Sequence, residues 1–200
     1  MKIRSFLLAS LATCCIIQGA ARAEPAQTPG DARPKQPGIA LITLDPGHFH
    51  AALIQREHYP NTSDSVHVYA PLGQDLLDHL GRISRFNQRE KDPTHYRLEV
   101  HTGPDFLERM QREKPGNVVV ISGRNRGKLA LVQGSLGAGL HVLVDKPWIL
   151  ESSQLGALKR ALDDADSRHL VAYDIMTERY ELTNLLQRAL VNDAAVFGTI

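Results

Sequence analysis

Apolar residues fall in six short clusters along the chain: 39–44, 66–69, 96–100, 118–121, 142–144 and 170–173. Several are nearly continuous runs, such as Val118-Val119-Val120-Ile121, rather than alternations of apolar and polar residues. Continuous runs predict strands covered on both faces, because an alternating strand leaves one face to water. Between the runs the spacing changes. Leu155, Leu158 and Leu162 recur at helical intervals, and a second helical stretch runs from Leu129 to Leu136, with Gly139 placed to end it. Ser152 or Ser153 is placed to cap the helix at 155. A weaker helix is expected over 106–112. The polar, unpatterned segment 81–94 predicts a long surface loop. Strands alternating with helices imply parallel pairing through right-handed crossovers. The expected fold class is therefore α/β, a doubly wound parallel Rossmann-like sheet of about six strands.

The two ends depart from this pattern. Residues 1–23 combine Lys2 and Arg4, a largely apolar run from Phe6 to Ile17, and the small-residue site Ala21-Arg22-Ala23. These are the parts of a Sec-type signal peptide cleaved before Glu24, and the run is too short for a membrane-spanning helix. Lipoprotein processing at Cys14 is disfavoured by Thr13. The expected location is secreted or periplasmic. Residues 24–37, rich in Pro, Ala, Gln and Gly, read as a disordered leader. Residues 38–176 form the expected nucleotide-binding domain, and 177–200 the start of a truncated second domain. In this last stretch Leu182, Leu185, Leu186, Ala189 and Leu190 make an apolar helical stripe in want of a partner. A chain that is a fragment of a larger protein is the expectation.

Composition narrows the chemistry. The net charge is +1, which gives no electrostatic reason to expect a nucleic-acid partner. The only cysteines, Cys14 and Cys15, lie in the signal segment. Cleavage would leave no disulfide, zinc-thiolate site or cysteine nucleophile. The sequon Asn61-Thr62-Ser63 is taken as incidental.

Ligands of open parallel sheets bind beyond the carboxyl ends of the strands. That rule selects the loops 45–50, 70–73, 122–126 and 145–148. The first carries Asp45, His48 and His50 in a D-x-x-H-x-H spacing. Its histidines are open to three roles: structural or substrate-orienting, proton transfer near neutral pH, and metal ligation with Asp45. No metal is assigned. Arg124, Arg126 and Lys128 are open to phosphate contact or to solvated positions at a helix start. Trp148 and Tyr180 are candidates to stack on a ligand or to pack.

The stretch LVQGSLGAGLHVLVDKPWIL (131–150) resembles the helix-plus-strand segment of the glucose–fructose oxidoreductase and inositol dehydrogenase family (Gfo/Idh/MocA), with Asp145 where that family carries Glu before Lys-Pro. LDPGHFHAAL (44–53) and ERYELTNLLQRALVNDAAVFGT (178–199) resemble a secreted branch of it. The resemblance covers roughly residues 38–200. It implies catalysis by Lys146, which would hydrogen-bond a substrate oxygen and stabilise charge during hydride transfer. Asp145 would orient that lysine and keep it charged, and Pro147, after a cis bond, would fix the turn. It further implies cofactor contacts from Gly47, His48, Phe49, Ser122, Arg124 and Pro147, and substrate contact or orientation by His50, Trp148 and Tyr180. The implied cofactor is NAD or NADP and the implied substrate a sugar, cyclitol or related polyol. A homo-oligomer through the second domain is also expected.

The chain departs from the family pattern where Gly-x-Gly-x-x-Gly is expected after the first strand. Asp45, Gly47 and His50 stand there, and only the middle glycine remains. The acid expected after the second strand is replaced by Tyr69 and Ala70. Two alternatives follow: a non-redox periplasmic ligand-binding protein that kept the fold and lost the cofactor, or a glycoside-cleaving enzyme that recycles a bound NAD.

Overall fold

The computed structural model describes residues 38–176 and 178–198, and the signal-peptide and leader assignments lie outside them. Six strands form one sheet: β1 (Leu41–Leu44), β2 (Ser65–Ala70), β3 (Arg97–Thr102), β4 (Val118–Ile121), β5 (His141–Val144) and β6 (Ala172–Asp174). Their order is β3-β2-β1-β4-β5-β6 and every pairing is parallel. The order reverses between β1 and β4. A crevice opens there at the carboxyl ends, the place where doubly wound sheets bind ligands.

The strands form where the apolar runs predict. Ile42, Leu44, Val119, Val120, Ile121, Val142 and Val144 are buried, as the central strands of a sheet covered on both faces must be. One face packs Ile42, Leu44, Val119, Ile121, Val142 and Val144 against Met110 of α3 (Phe106–Glu113), Leu131, Val132 and Leu136 of α4 (Lys128–Gly137) and Ala165 of α5 (Leu155–Ser167). The other packs Leu41, Val66 and Val120 against Ala51 and Ala52 of α1 (His50–Leu53) and Ile83 of α2 (Gln74–Gln88). Gly139 ends α4 in the left-handed region (φ 85°), where glycine carries no Cβ penalty.

Two local expectations are corrected. Residues 81–88 belong to α2 rather than to a loop. Leu76, His79 and Ile83 share its buried side, a helical spacing that starts at Leu76 and is lost when the window opens at Gly81. Arg85 and Gln88 are exposed and lend the segment its polar look. The start of α5 is organised by Glu151 and Gln154 around a short 3-10 turn at Ser152–Gln154, with Gln154 Oε1 accepting from the amides of Leu150 (2.9 Å) and Glu151 (3.1 Å). Ser152 and Ser153 lie inside that turn, past the capping position.

Beyond β6 the stripe of Leu182, Leu185, Leu186 and Leu190 lies on α6 (Leu182–Val191), as its periodicity predicts, and these four leucines are exposed. The short α7 (Ala194–Phe197) follows.

Candidate active site at the strand ends

The loop after β1 folds against the loop after β4. His48 donates its amide to Ser122 O (2.7 Å), and Ser122 Oγ returns a bond to His48 O (2.8 Å). Gly47 lies so close to Gly123 and Arg124 that a Cβ on it would sit 3.2 Å from the Arg124 nitrogen. The reciprocal approach also holds, since a Cβ on Gly123 would overlap the Asp45 carboxylate. Gly47 and Gly123 are thus required by contact between two loops. Asp45 takes the left-handed region (φ 50°), one that Asp tolerates better than most residues.

The segment that leads into α1 is bonded within the protein. The helix is a single turn, and the amides leading into it are engaged within the protein: Gly47 N to Asp45 O (2.9 Å) and His48 N to Ser122 O. With Asp at the first glycine position, the turn closes on itself and on β4.

At the end of β5 the Asp145 carboxylate gathers the histidines. Its Oδ1 lies 2.9 Å from His50 Nδ1, and its Oδ2 lies 3.0 Å from His48 Nδ1, the latter without hydrogen-bond alignment. Oδ1 also accepts from the Lys146 amide (2.8 Å). Burial pushes the carboxyl up, but the His50 hydrogen bond, the two imidazoles and Lys128 outweigh it and hold Asp145 below its ordinary value. Asp145 therefore orients the Lys146 backbone and the histidines, and its carboxylate does not clasp the Lys146 ammonium as the family resemblance implied. Lys146 Nζ has no protein partner among the described residues. The Lys146–Pro147 bond is cis.

Sequence reasoning left Lys128 open between a phosphate contact and a solvated charge. It is 1% exposed, and its Nζ donates to Asp145 O (3.2 Å), Lys146 O (3.2 Å) and Asn125 Oδ1 (3.3 Å). Burial lowers its pKa, partly countered by Asp145. This ammonium ties the start of α4 to the turn that carries Lys146. A lysine just after Gly127 was visible in the sequence, but nothing in its spacing shows that it turns inward.

Arg124 reaches Asp75 in a two-pronged pair, Nε to Oδ2 at 2.9 Å and Nη2 to Oδ1 at 3.2 Å. The pair joins the first turn of α2 to the β4 loop, beside a smaller cavity of about 190 Å³ that Asp45 also lines. Asp45 is raised by burial and by Asp75, with Lys128 and Arg124 opposing.

A cavity of about 430 Å³ at the strand ends is lined by Gly47, His48, Gly123, Arg124, Asn125, Asp145 and Lys146. Of the residues singled out from sequence, Gly47, His48, Arg124, Asp145 and Lys146 meet there. His50 is buried behind them and Ser122 is consumed in tying the loops. Phe49 and Pro147 flank the cavity residues in sequence without lining it. Trp148 packs against the core, and Tyr180 is 71% exposed with its hydroxyl 3.5 Å from that of Tyr173. The cavity chemistry fits a phosphate-bearing dinucleotide on the β4–β5 side: Lys146, Asn125 and Arg124 would hold it there. On the β2 side Asp75 is the nearby carboxylate, already engaged by Arg124.

No protein-family model matches the chain, and no curated protein does. Solved structures do. A "putative oxidoreductase" from Parabacteroides merdae ATCC 43184 is 46% identical with a TM-score of 0.77, over 82% of this chain and 37% of that one. GenD2 from gentamicin A biosynthesis, solved in complex with NAD, is 16% identical with a TM-score of 0.55, over 78% of this chain and 40% of that one. Biliverdin reductase from Synechocystis sp. PCC 6803, solved with biliverdin and NADP+, is 10% identical with a TM-score of 0.50, over 68% of this chain and 37% of that one. The last two likenesses concern the fold alone. The chain spans about two fifths of the length of these structures.

Proposed function

We propose, from the premise that the structural neighbours of this chain are Gfo/Idh/MocA-type oxidoreductases whose first-domain Rossmann-like fold it shares, that the chain carries the nicotinamide-cofactor part of an oxidoreductase. Its substrate is a sugar, cyclitol or related polyol, and it acts after export. The observation that carries the reading is the meeting of Lys146, with an unpaired ammonium, and His48, backed by Asp145, in one cavity at the switch point of the sheet.

When bound, the nicotinamide supplies the hydride acceptor or donor. The chain's own residues do the rest. Lys146 donates a hydrogen bond to the substrate oxygen and stabilises negative charge developing on it. His48 is held below its ordinary pKa mainly by burial, so it is neutral at neutral pH and able to take the hydroxyl proton. Asp145 fixes the histidine pair and stabilises the imidazolium that follows. Lys128 and Asn125 hold the turn that presents Lys146.

A second reading, ligand binding without redox chemistry, is favoured by one observation: the amides of Gly47 and His48 are already bonded within the protein. Calorimetric titration of NAD, NADH, NADP and NADPH into the folded chain separates the two. Micromolar binding that weakens at least about tenfold on Lys146→Ala is expected, an effect in the range of one charge-assisted hydrogen bond. No binding by protein of native circular dichroism would overturn the cofactor reading and leave the ligand-binding one, with saturable sugar binding as its signature.

A further inference from the structure

A second cluster of histidines and carboxylate lies away from this cavity, on the face that β2 and β3 share with α3. Parallel register sets His67 opposite Glu99 and Tyr69 opposite His101. Glu99 and His101 are two apart in β3, so they share a face. His67 Nδ1 faces His101 Nε2 at 3.2 Å and lies 3.6 Å from Glu99 Oε2. We propose that His67, Glu99 and His101 form a binding site for a divalent transition metal, with zinc as the ion their chemistry fits best.

Two imidazole nitrogens and a carboxylate oxygen are a donor set suited to zinc. A tetrahedral ion with bonds of about 2.0–2.1 Å separates its ligand atoms by about 3.3 Å, and the 3.2 and 3.6 Å spacings bracket that value. The imidazole planes are parallel to within 2° with centroids 5.5 Å apart, so nitrogen faces nitrogen across one shared proton. Metal entry moves that proton to the other nitrogen of its ring and tilts the rings toward a common point.

The surroundings favour a cation. Ser65 Oγ donates to Glu99 Oε1 at 2.8 Å, which leaves Oε2 turned to His67 and supplies the outer hydrogen bond that ligating carboxylates need. Glu113 lies behind His101, its carboxyl held down to about 2 by the Tyr69 hydroxyl and by Arg109. Two carboxylates thus oppose one guanidinium. The Glu99 side chain is 55% exposed, so a solvent-facing coordination position stays open. The other triad, His48–His50–Asp145, offers similar atoms but faces the Lys128 ammonium at the Asp145 carbonyl. An ion between β2 and β3 would clip the edge strand of the sheet to its neighbour.

The test is calorimetric titration of Zn²⁺ into the whole chain in a non-chelating buffer, with Co²⁺ absorption as a geometric readout. One equivalent at micromolar affinity or tighter is expected, with a four-coordinate Co²⁺ spectrum. Binding should be unchanged in His48→Ala and lost, by at least about thirtyfold, in His67→Gln and His101→Gln. If those variants do not fold, Glu99→Gln on the exposed surface should still weaken zinc at least about tenfold. Absence of binding by folded wild-type protein, or binding lost in His48→Ala and kept in Glu99→Gln, overturns the proposal.

Discussion

Among its described residues the protein builds two triads of two imidazoles and a carboxylate and gives them different surroundings. His48, His50 and Asp145 come together at the ends of β1 and β5, and His67, Glu99 and His101 at the edge of the sheet. In the first, the carboxylate is 3% exposed and its turn is bonded by the buried ammonium of Lys128. In the second, the carboxylate is half in water and bonded by Ser65. A buried carboxylate between imidazoles and an ammonium is a fixed electrostatic element: it sets the orientation and proton affinity of its neighbours. A half-exposed carboxylate beside two imidazoles is an open donor set. The difference lies in the neighbouring charge and in access to water.

The largest way to break this contrast is to remove the charge of Asp145. Asp145→Asn keeps the shape but takes from the buried Lys128 ammonium its strongest counter-charge, leaving it the neutral oxygens it is bonded to and the weaker influence of Asp45. A loss of about 3 kcal/mol in unfolding free energy is expected, because stripping a buried charge of its counter-charge strands the survivor. Glu99→Gln at the other triad should change stability by less than about 0.5 kcal/mol, as for other exposed charges. Urea unfolding at pH 7 measures both. Adding Lys128→Met to Asp145→Asn should recover part of the loss, a coupling of about 1–3 kcal/mol. Equal small losses at both carboxylates would mean that the carbonyls of residues 145 and 146 stabilise Lys128 alone.

A histidine with no carboxylate sharpens the contrast further. His79 on α2 is 1% exposed and neither ring nitrogen has a hydrogen-bond partner among the described residues, and burial, then Arg82, lowers its pKa to about 4. The unfolded chain binds a proton near the ordinary value of 6.5, while the folded chain resists until about 4. Stability is therefore present above pH 6.5 and falls as the pH drops toward 4. The depth of that limb is about 3 kcal/mol, from 1.36 kcal/mol per pKa unit. His79→Leu should flatten the acid limb of a stability-versus-pH curve. A limb as steep in that variant as in wild type would place the titrating group elsewhere, with His48 and His101 next to test.

What the sequence revealed follows from the range of the interactions. The central strands were legible because burial on both faces leaves consecutive apolar residues, as in Val118–Ile121, whereas the edge strands β3 and β6 are half-buried or exposed along their length. The glycine at 139 and the loops beyond the strand ends were legible for the same local reason. The site was legible in its parts: Gly47, His48, Asp145 and Lys146 were named and do meet. Their wiring was not. His50 and Asp145 are 95 residues apart, and a carboxylate beside a lysine suggests pairing with that lysine until a buried histidine takes it. Lys128 was ambiguous because a lysine at a helix start is ordinarily solvated, and only the carbonyls of the facing turn decide otherwise. The edge triad left a faint signal: His67 with Tyr69 and Glu99 with His101, each pair at period two in adjacent strands. It becomes a cluster only once the β2–β3 register is fixed.

The smallest expected effect probes how the open triad is held. Ser65→Ala removes the hydroxyl that bonds Glu99 Oε1 at 2.8 Å. Because Glu99 is largely solvated, water replaces that bond, and the change in unfolding free energy should stay within about 0.5 kcal/mol. Metal affinity should respond more, since an outer hydrogen bond restricts the carboxylate to the rotamer that faces His67. Losing such a bond weakens metal binding by about tenfold or somewhat more. The two readouts together distinguish orientation from folding: zinc affinity falls while the urea midpoint holds. A variant that binds zinc as wild type does would show that the β2–β3 register alone places Glu99, with Ser65 contributing nothing beyond its place in the strand.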